Sequence, residues 1–211
     1  MIDHVSMRLF ILGATGKTGI ELVDLALAHG HSVTAFVRSP QKVTRRDERL
    51  SVIKGDPHHD DELANALAGH DAVLSALGPR PREAFTKTTL LEECAGATVA
   101  AMAAVGLRRL LIVSSAMLFP LNSPLFVLSR LIIRPHFRDL QAMEALVTAS
   151  PLDWTIARPP RLVSRRDEGF EAIEDGLPRR SLVLSWRALA AFMIGAVEGE
   201  RHRRKIVGLC R

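Results

Sequence analysis

The chain has 211 residues, with 28 Lys and Arg against 23 Asp and Glu, for a formal net charge of +5. Its 47% hydrophobic and 24% charged residues are the make-up of a globular domain and exclude a disordered, collagen-like or fibrous protein. Two cysteines, at 94 and 210, with no Cys-x-x-Cys pair, exclude a disulfide scaffold and a zinc quartet.

The first residues, Met1 to Met7, show neither the basic segment nor the long apolar run of a secretory signal. Residues 8–12 form a short continuous apolar run, as a strand buried on both faces requires. A glycine-rich turn follows, then an apolar helical face over 18–29 that Gly30 closes. Strands are expected at 32–37 and 50–54, a helix at 61–68 and a fourth strand at 71–76. The alternation continues with an Ala-rich helix at 88–105, a strand at 109–114, a helix at 137–149 and a strand at 154–157. A helix over 185–198 and a strand over 205–209 complete it.

Strands alternating with helices of this length imply right-handed crossovers. The expected fold class is therefore α/β: a single domain over 1–211 built on a doubly wound parallel sheet, the Rossmann fold. Residues 159–180 have few periodic apolar positions and are expected to form a small loop-rich substrate lobe over the strand ends. No apolar run approaches the ~20 residues that span a bilayer, so the expectation is a soluble cytoplasmic protein, monomer or dimer, without a membrane partner. Basic residues recur in small groups beside acids or apolar runs, such as Arg45-Arg46 and Arg165-Arg166. With aromatics at 5% and no Tyr, stacking platforms are scarce, so no nucleic-acid partner is expected and the positive balance suits anionic small ligands.

Gly13-Ala-Thr-Gly16-Lys-Thr-Gly19 lies between the first strand and the first helix. At this spacing Gly13 permits a tight turn, Gly16 the close approach of a pyrophosphate, and Gly19 close packing of helix on strand. The helix beyond offers unpaired N–H groups and a positive dipole end. Gly16-Lys17-Thr18 also invites a triphosphate-binding loop, but that loop needs a glycine five residues before Gly16, where Ile11 stands. At the end of the second strand, where an acid would receive a ribose 2′-hydroxyl, the chain has Arg38 and Ser39, with Lys42, Arg45 and Arg46 close behind. A cation there suits a 2′-phosphate, so the expected cofactor is NADP(H). Gly55-Asp56-Pro57 ends the third strand facing the adenine, and Ala76-Leu77-Gly78 supplies small residues where the cofactor backbone passes.

The run of motifs GATGKTG (13–19), VTAFVRSP (33–40), KGDP (54–57), DAVLSALG (71–78), LLIVSSAM (110–117) and DWTIARPP (153–160) resembles the atypical short-chain dehydrogenase/reductases with NAD(P)-binding, NmrA-like domains, and their flavin reductase branch in particular. The resemblance covers nearly the whole chain. It implies NADP(H) contacts at Gly13, Thr15, Gly16, Lys17, Thr18, Arg38, Asp56, Leu77 and Gly78. It also implies a nicotinamide and substrate region near Ser114, Ser115, Met117, Pro159, Pro160 and Arg161.

The departures from that family bear on the chemistry. Catalytic short-chain dehydrogenases use a Tyr-x-x-x-Lys pair, but this chain has no Tyr and no lysine between 137 and 149. Relatives often carry a helix lysine four residues before the glutamate of that helix; here Leu140 precedes Glu144. Where biliverdin- and flavin-reducing members have a histidine after the paired prolines, this chain has Arg161. The acceptors left are flavins, quinones and tetrapyrroles, conjugated small molecules that take hydride and draw their proton from solvent.

Ser115 and Arg161 are the candidates for contacting such an acceptor, and His136 for donating a proton. The alternatives are a catalytically silent NADP(H)-sensing regulator and a scaffold on a degenerate fold. The composition of His58-His59-Asp60-Asp61 is that of a metal site, but adjacent side chains diverge and the run reads as a helix N-terminus, so no metal is expected. His29 and His31 are expected to be exposed, and Cys94 to be a small core residue.

Overall fold

Arg8–Leu12 forms the central strand β1, and Leu9 to Leu12 are wholly screened from solvent. They are apolar without a break because helices cover both faces of the sheet. Leu9 and Ile11 point into one apolar layer, Phe10 and Leu12 into the other, as the two-residue period of a strand dictates. The computed structural model describes residues 6–78, 89–120, 134–177 and 183–211.

After β1 come α1 (Lys17–Ala28), β2 (Ser32–Val37), β3 (Leu50–Lys54), α2 (Asp60–Leu67) and β4 (Ala72–Ser75). Next are α3 (Leu90–Ala104), β5 (Arg109–Val113), α4 (Arg134–Ala149) and β6 (Asp153–Arg158). The chain closes with β7 (Arg161–Val163), β8 (Glu171–Glu174), β9 (Val183–Ser185), α5 (Trp186–Glu198) and β10 (Lys205–Cys210). The main sheet runs β3-β2-β1-β4-β5-β6-β10-β8. Helix α1 packs on α5 over one face, and α2, α3 and α4 pack together over the other. The strand order reverses between β1 and β4, and ligands of such sheets sit beyond the carboxyl ends at that point.

Four features depart from expectation. The sheet is parallel except for its last strand, β8, which pairs antiparallel with β10 through Ala172 and Leu209. The segment 159–180 is accordingly not all loop, since β7 also pairs with β9 in a separate two-stranded sheet. Strands of three or four residues at an edge bury too little to leave a periodic signal. Helix α4 extends back to Arg134, because Pro135 sits in its first turn, where the missing N–H costs no helical hydrogen bond. His31, expected on the surface, is fully buried.

As expected, the acids of 60–62 open α2, where they complement the helix dipole. Among the described residues no helix is long and apolar enough to cross a membrane.

Candidate functional site

The turn from β1 to α1 is built around two missing side chains. Gly13 has φ +78°, and a Cβ there would stand 2.6 Å from the Ala76 carbonyl oxygen at the end of β4. A Cβ at Gly19 would collide with the Gly13 carbonyl itself. The Gly16 N–H donates to the Gly13 oxygen at 2.9 Å, and Gly16 then caps α1 with no side chain closing the helix end. No acid lies in the first turn. The first N–H groups of α1 are thus left for an anion, which is the cradle a dinucleotide pyrophosphate needs. Lys17, the first helical residue, is exposed, with its Nζ 4.2 Å from the centroid of the Trp186 ring. Thr15 is exposed and Thr18 buried.

A cleft of about 280 Å³ opens beside this turn, lined by Gly13, Thr15 and Gly16, by Arg38 and Ser39 after β2, and by Ala76, Leu77 and Gly78 after β4. Arg38 is exposed and makes no ion pair or hydrogen bond among the described residues. Lys42 joins it in lining the cleft, whereas Arg45 is held by Asp24 at 3.9 Å and Asp47 at 3.6 Å. Of the expected basic group, therefore, Arg38 and Lys42 face the cleft and Arg45 does not.

On the other side of Arg38 an open groove of about 810 Å³ runs between β3 and α2, past Phe36, Gly55, Asp56 and Glu62. Burial opposes ionisation of Asp56, but hydrogen bonds from the His58 ring and backbone, with the Arg38 charge nearby, hold its carboxyl below the usual range. The two hollows share Phe36 and Arg38, so the phosphate turn and the Asp56 loop form one continuous surface.

Beyond β5 and β6 the fold assembles a group in which the sequence pointed only to Ser114. The Ser114 hydroxyl donates to Glu144 Oε1 at 2.5 Å, and Arg158 donates to both carboxylate oxygens, through Nε at 2.9 Å and a terminal nitrogen at 2.5 Å. All three side chains are largely buried. Leu140, Met143 and Val147 turn one face of α4 into the core, and Glu144 lies on that same face. A carboxylate in such a place requires a counter-charge, which Arg158 supplies from the end of β6. That signal, an acid on an apolar helical face, was present in the sequence. Arg158 also stacks over Phe119, its guanidinium carbon 4.6 Å from the ring centroid.

The expected catalytic residues lie on three different elements and do not join one another among the described residues. Ser115 caps the short 3-10 turn Ala116–Leu118, its oxygen accepting from the Met117 N–H at 3.3 Å. Its own hydrogen meets no acceptor among the described residues. Pro159 is buried, and its carbonyl accepts from Ala116 N–H at 2.9 Å, pinning the ends of β5 and β6 together. Arg161 is exposed on β7. His136, in the first turn of α4, is half-buried with Nδ1 unpartnered among the described residues, and burial lowers its pKa, so the ring is neutral at pH 7. No hydrogen bond links Ser115, Arg161 and His136 among the described residues.

A second polar cluster lies where α1 ends and α5 ends. Glu198 Oε1 stands 2.9 Å from His29 Nδ1 and 3.0 Å from His31 Nε2. His, His and Glu converging within 4.8 Å have the composition of a metal site. The hydrogen bonding has a different sense, because the Met7 N–H donates to His31 Nδ1 at 3.2 Å. A neutral His31 must then carry its proton on Nε2 and donate it to Glu198, so the nitrogen aimed at the cluster has no lone pair for a cation.

Comparison with known proteins agrees with this geometry. A family described as NAD(P)H-binding matches residues 13–200. A Bacillus subtilis protein named uncharacterized sugar epimerase YhfK is 27% identical over 180 residues, covering 82% of this chain and 80% of that protein. A short-chain dehydrogenase/reductase of Veillonella parvula, solved in complex with NADP, shares the fold with a TM-score of 0.80 at 19% identity, over 98% of this chain and 95% of that one. A candidate NADH-flavin reductase of Streptococcus pneumoniae does so with a TM-score of 0.76 at 21% identity, over 98% of this chain and 100% of that one. The chain belongs to the NAD(P)H-binding family and has the Rossmann fold.

Proposed function

We propose that the protein is an NADPH-dependent reductase that passes hydride to a flat conjugated acceptor, of flavin, biliverdin-like or quinone type, without a Tyr–Lys pair. The observation that carries the reading is the state of Ser114. Its hydrogen is committed to the Glu144 side chain, whose other oxygen Arg158 engages, so it has no proton to offer a carbonyl oxygen. With no Tyr in the chain, reduction of an isolated ketone lacks its acid. A conjugated acceptor spreads the arriving charge over its ring system and takes its proton from water.

When bound, the reduced nicotinamide supplies the hydride. The glycine turn and the open end of α1 receive the pyrophosphate, and Arg38 receives the 2′-phosphate. Ser115, whose hydrogen meets no acceptor among the described residues, hydrogen-bonds an acceptor or carboxamide oxygen, and Arg161 pairs with an acidic group of the acceptor. Ser114, Glu144 and Arg158 hold the ends of β5 and β6 in place beneath them. His136, neutral at pH 7, serves as a proton relay only if its unpaired Nδ1 meets the acceptor.

The test is NADPH consumption followed by absorbance, with FMN, a simple quinone and biliverdin as acceptors. Turnover well above the uncatalysed rate with at least one of them is expected. Tight NADPH binding with no turnover across the panel would replace this reading with a dinucleotide-sensing regulator, which the same commitment of Ser114 to Glu144 would also suit.

A further inference from the structure

We propose that Trp186 is a positioning residue for the dinucleotide phosphates, acting through Lys17. The Lys17 ammonium lies 4.2 Å from the indole centroid. Attraction between a cation and the face of an aromatic ring is strongest for tryptophan. Lys17 is the first residue of α1, beside the helix end that has neither a side-chain cap nor an acid. The indole therefore keeps a positive charge next to the place where the phosphates bind. A lysine free in solvent loses much rotamer freedom when it engages an anion, and one already held loses less. An ammonium has three N–H donors, so contact with one ring face leaves donors for a phosphate.

The backbone that presents Trp186 is itself fixed. Ser185 caps α5 by accepting from the Ala188 N–H at 2.8 Å, while its hydroxyl donates to the Asp167 carbonyl at 2.6 Å. Arg187, the next residue, bridges Glu21 of α1 at 3.2 Å and Glu168 at 2.7 Å. The ring is thus carried by a helix start tied both to α1 and to the segment between β7 and β8. The proposal rests on dinucleotide binding at the α1 turn, and the identity of the acceptor does not enter it.

The experiment is a titration of the intact chain with NADPH, read by nicotinamide fluorescence, for wild type, Trp186→Leu, Lys17→Met and the double variant. Trp186→Leu is expected to raise the Kd about threefold to tenfold. Trp186→Phe recovers part of that loss, since a phenyl face still attracts a cation. In the Lys17→Met background, Trp186→Leu changes the Kd by less than about twofold, because the group it acts through is gone. An unchanged or lower Kd in Trp186→Leu, the same factor in both backgrounds, or no NADPH binding in wild type overturns the proposal. Should Trp186→Leu lose the wild-type circular dichroism, the cycle of Trp186→Phe with Lys17→Met decides by the same comparison. NADPH binding with this coupling but no acceptor turnover upholds the proposal and removes only the reductase reading.

Discussion

Ser114 gives its hydroxyl hydrogen to Glu144 across 2.5 Å, and this bond orients the end of β5 toward α4. Glu144 can only accept, because Arg158 donates to both of its oxygens. The result is a buried charge pair with a hydroxyl attached, where the ends of β5 and β6 meet α4.

Removing one partner from such a pair strands the other. Glu144→Ala leaves the Arg158 guanidinium buried without a counter-charge and is expected to cost about 3–5 kcal/mol of unfolding free energy. Glu144→Gln, which keeps a hydrogen-bond acceptor, should cost less. Urea denaturation measures both, and a loss below about 1 kcal/mol for the alanine variant would show that the carboxylate is not the partner of Arg158.

Arg38 is expected to discriminate between the two nicotinamide coenzymes. A hydrogen bond to a charged phosphate contributes about 1.5–3 kcal/mol, so Arg38→Ala should weaken NADPH binding roughly tenfold to a hundredfold. NADH binding should change by less than about twofold, since that coenzyme has no 2′-phosphate for Arg38 to meet. Calorimetric titration of both coenzymes tests this; equal losses for the two would move Arg38 away from the ribose.

Gly19→Ala drives a Cβ into the Gly13 carbonyl. The turn must open to accept it, so we expect dinucleotide binding to weaken by more than tenfold together with a drop in melting temperature. Gly78→Ala meets nothing within 4 Å and should leave the melting temperature unchanged. The contrast separates crowding in the turn from a general sensitivity to glycine replacement.

Two half-buried histidines make stability depend on pH. His70 Nδ1 donates to the Leu67 carbonyl at 3.1 Å, and burial, followed by the nearby Arg8 charge, lowers its pKa from 6.5. Burial lowers His136 as well. The unfolded chain then takes up these protons at higher pH than the native one. The stabilisation is complete above the unfolded pKa of 6.5 and declines as pH falls below it. Denaturation midpoints compared at about pH 7 and about pH 5 should show the decline, and His70→Gln should flatten it. An unchanged slope in that variant assigns the effect elsewhere.

Cys94 is 1% exposed, and burial pushes its thiol up to about 12. It is expected to resist a disulfide-exchange reagent in the native protein and to react at once in denaturant. Rapid labelling of Cys94 under native conditions, located by mass spectrometry, would mean that α3 opens.

The most legible parts of the chain were those whose physics is local. β1, the glycine turn and α1 are contiguous, so burial on both faces, a tight turn and an open helix end all leave their marks within about a dozen residues. Arg38 follows at a distance set by one helix and one strand, and its place in the cleft was readable for the same reason. Lys17 was expected among the cofactor contacts, yet no spacing shows that Trp186, 169 positions away, covers it. His31 reads in the sequence as a surface residue beside a helix end, but in the fold it is buried and bonded to Glu198.

The sequence alone determined the alternation of buried strands with amphipathic helices, and with it the sheet, the switch point and the dinucleotide turn, because period and glycine placement act between near neighbours. Only the tertiary structure decided the pairings of Glu144 with Arg158 and of Lys17 with Trp186, and the antiparallel placing of β8. These contacts join residues from different elements, and their energy comes from shared burial and opposed charge, which exist only once the chain has closed on itself.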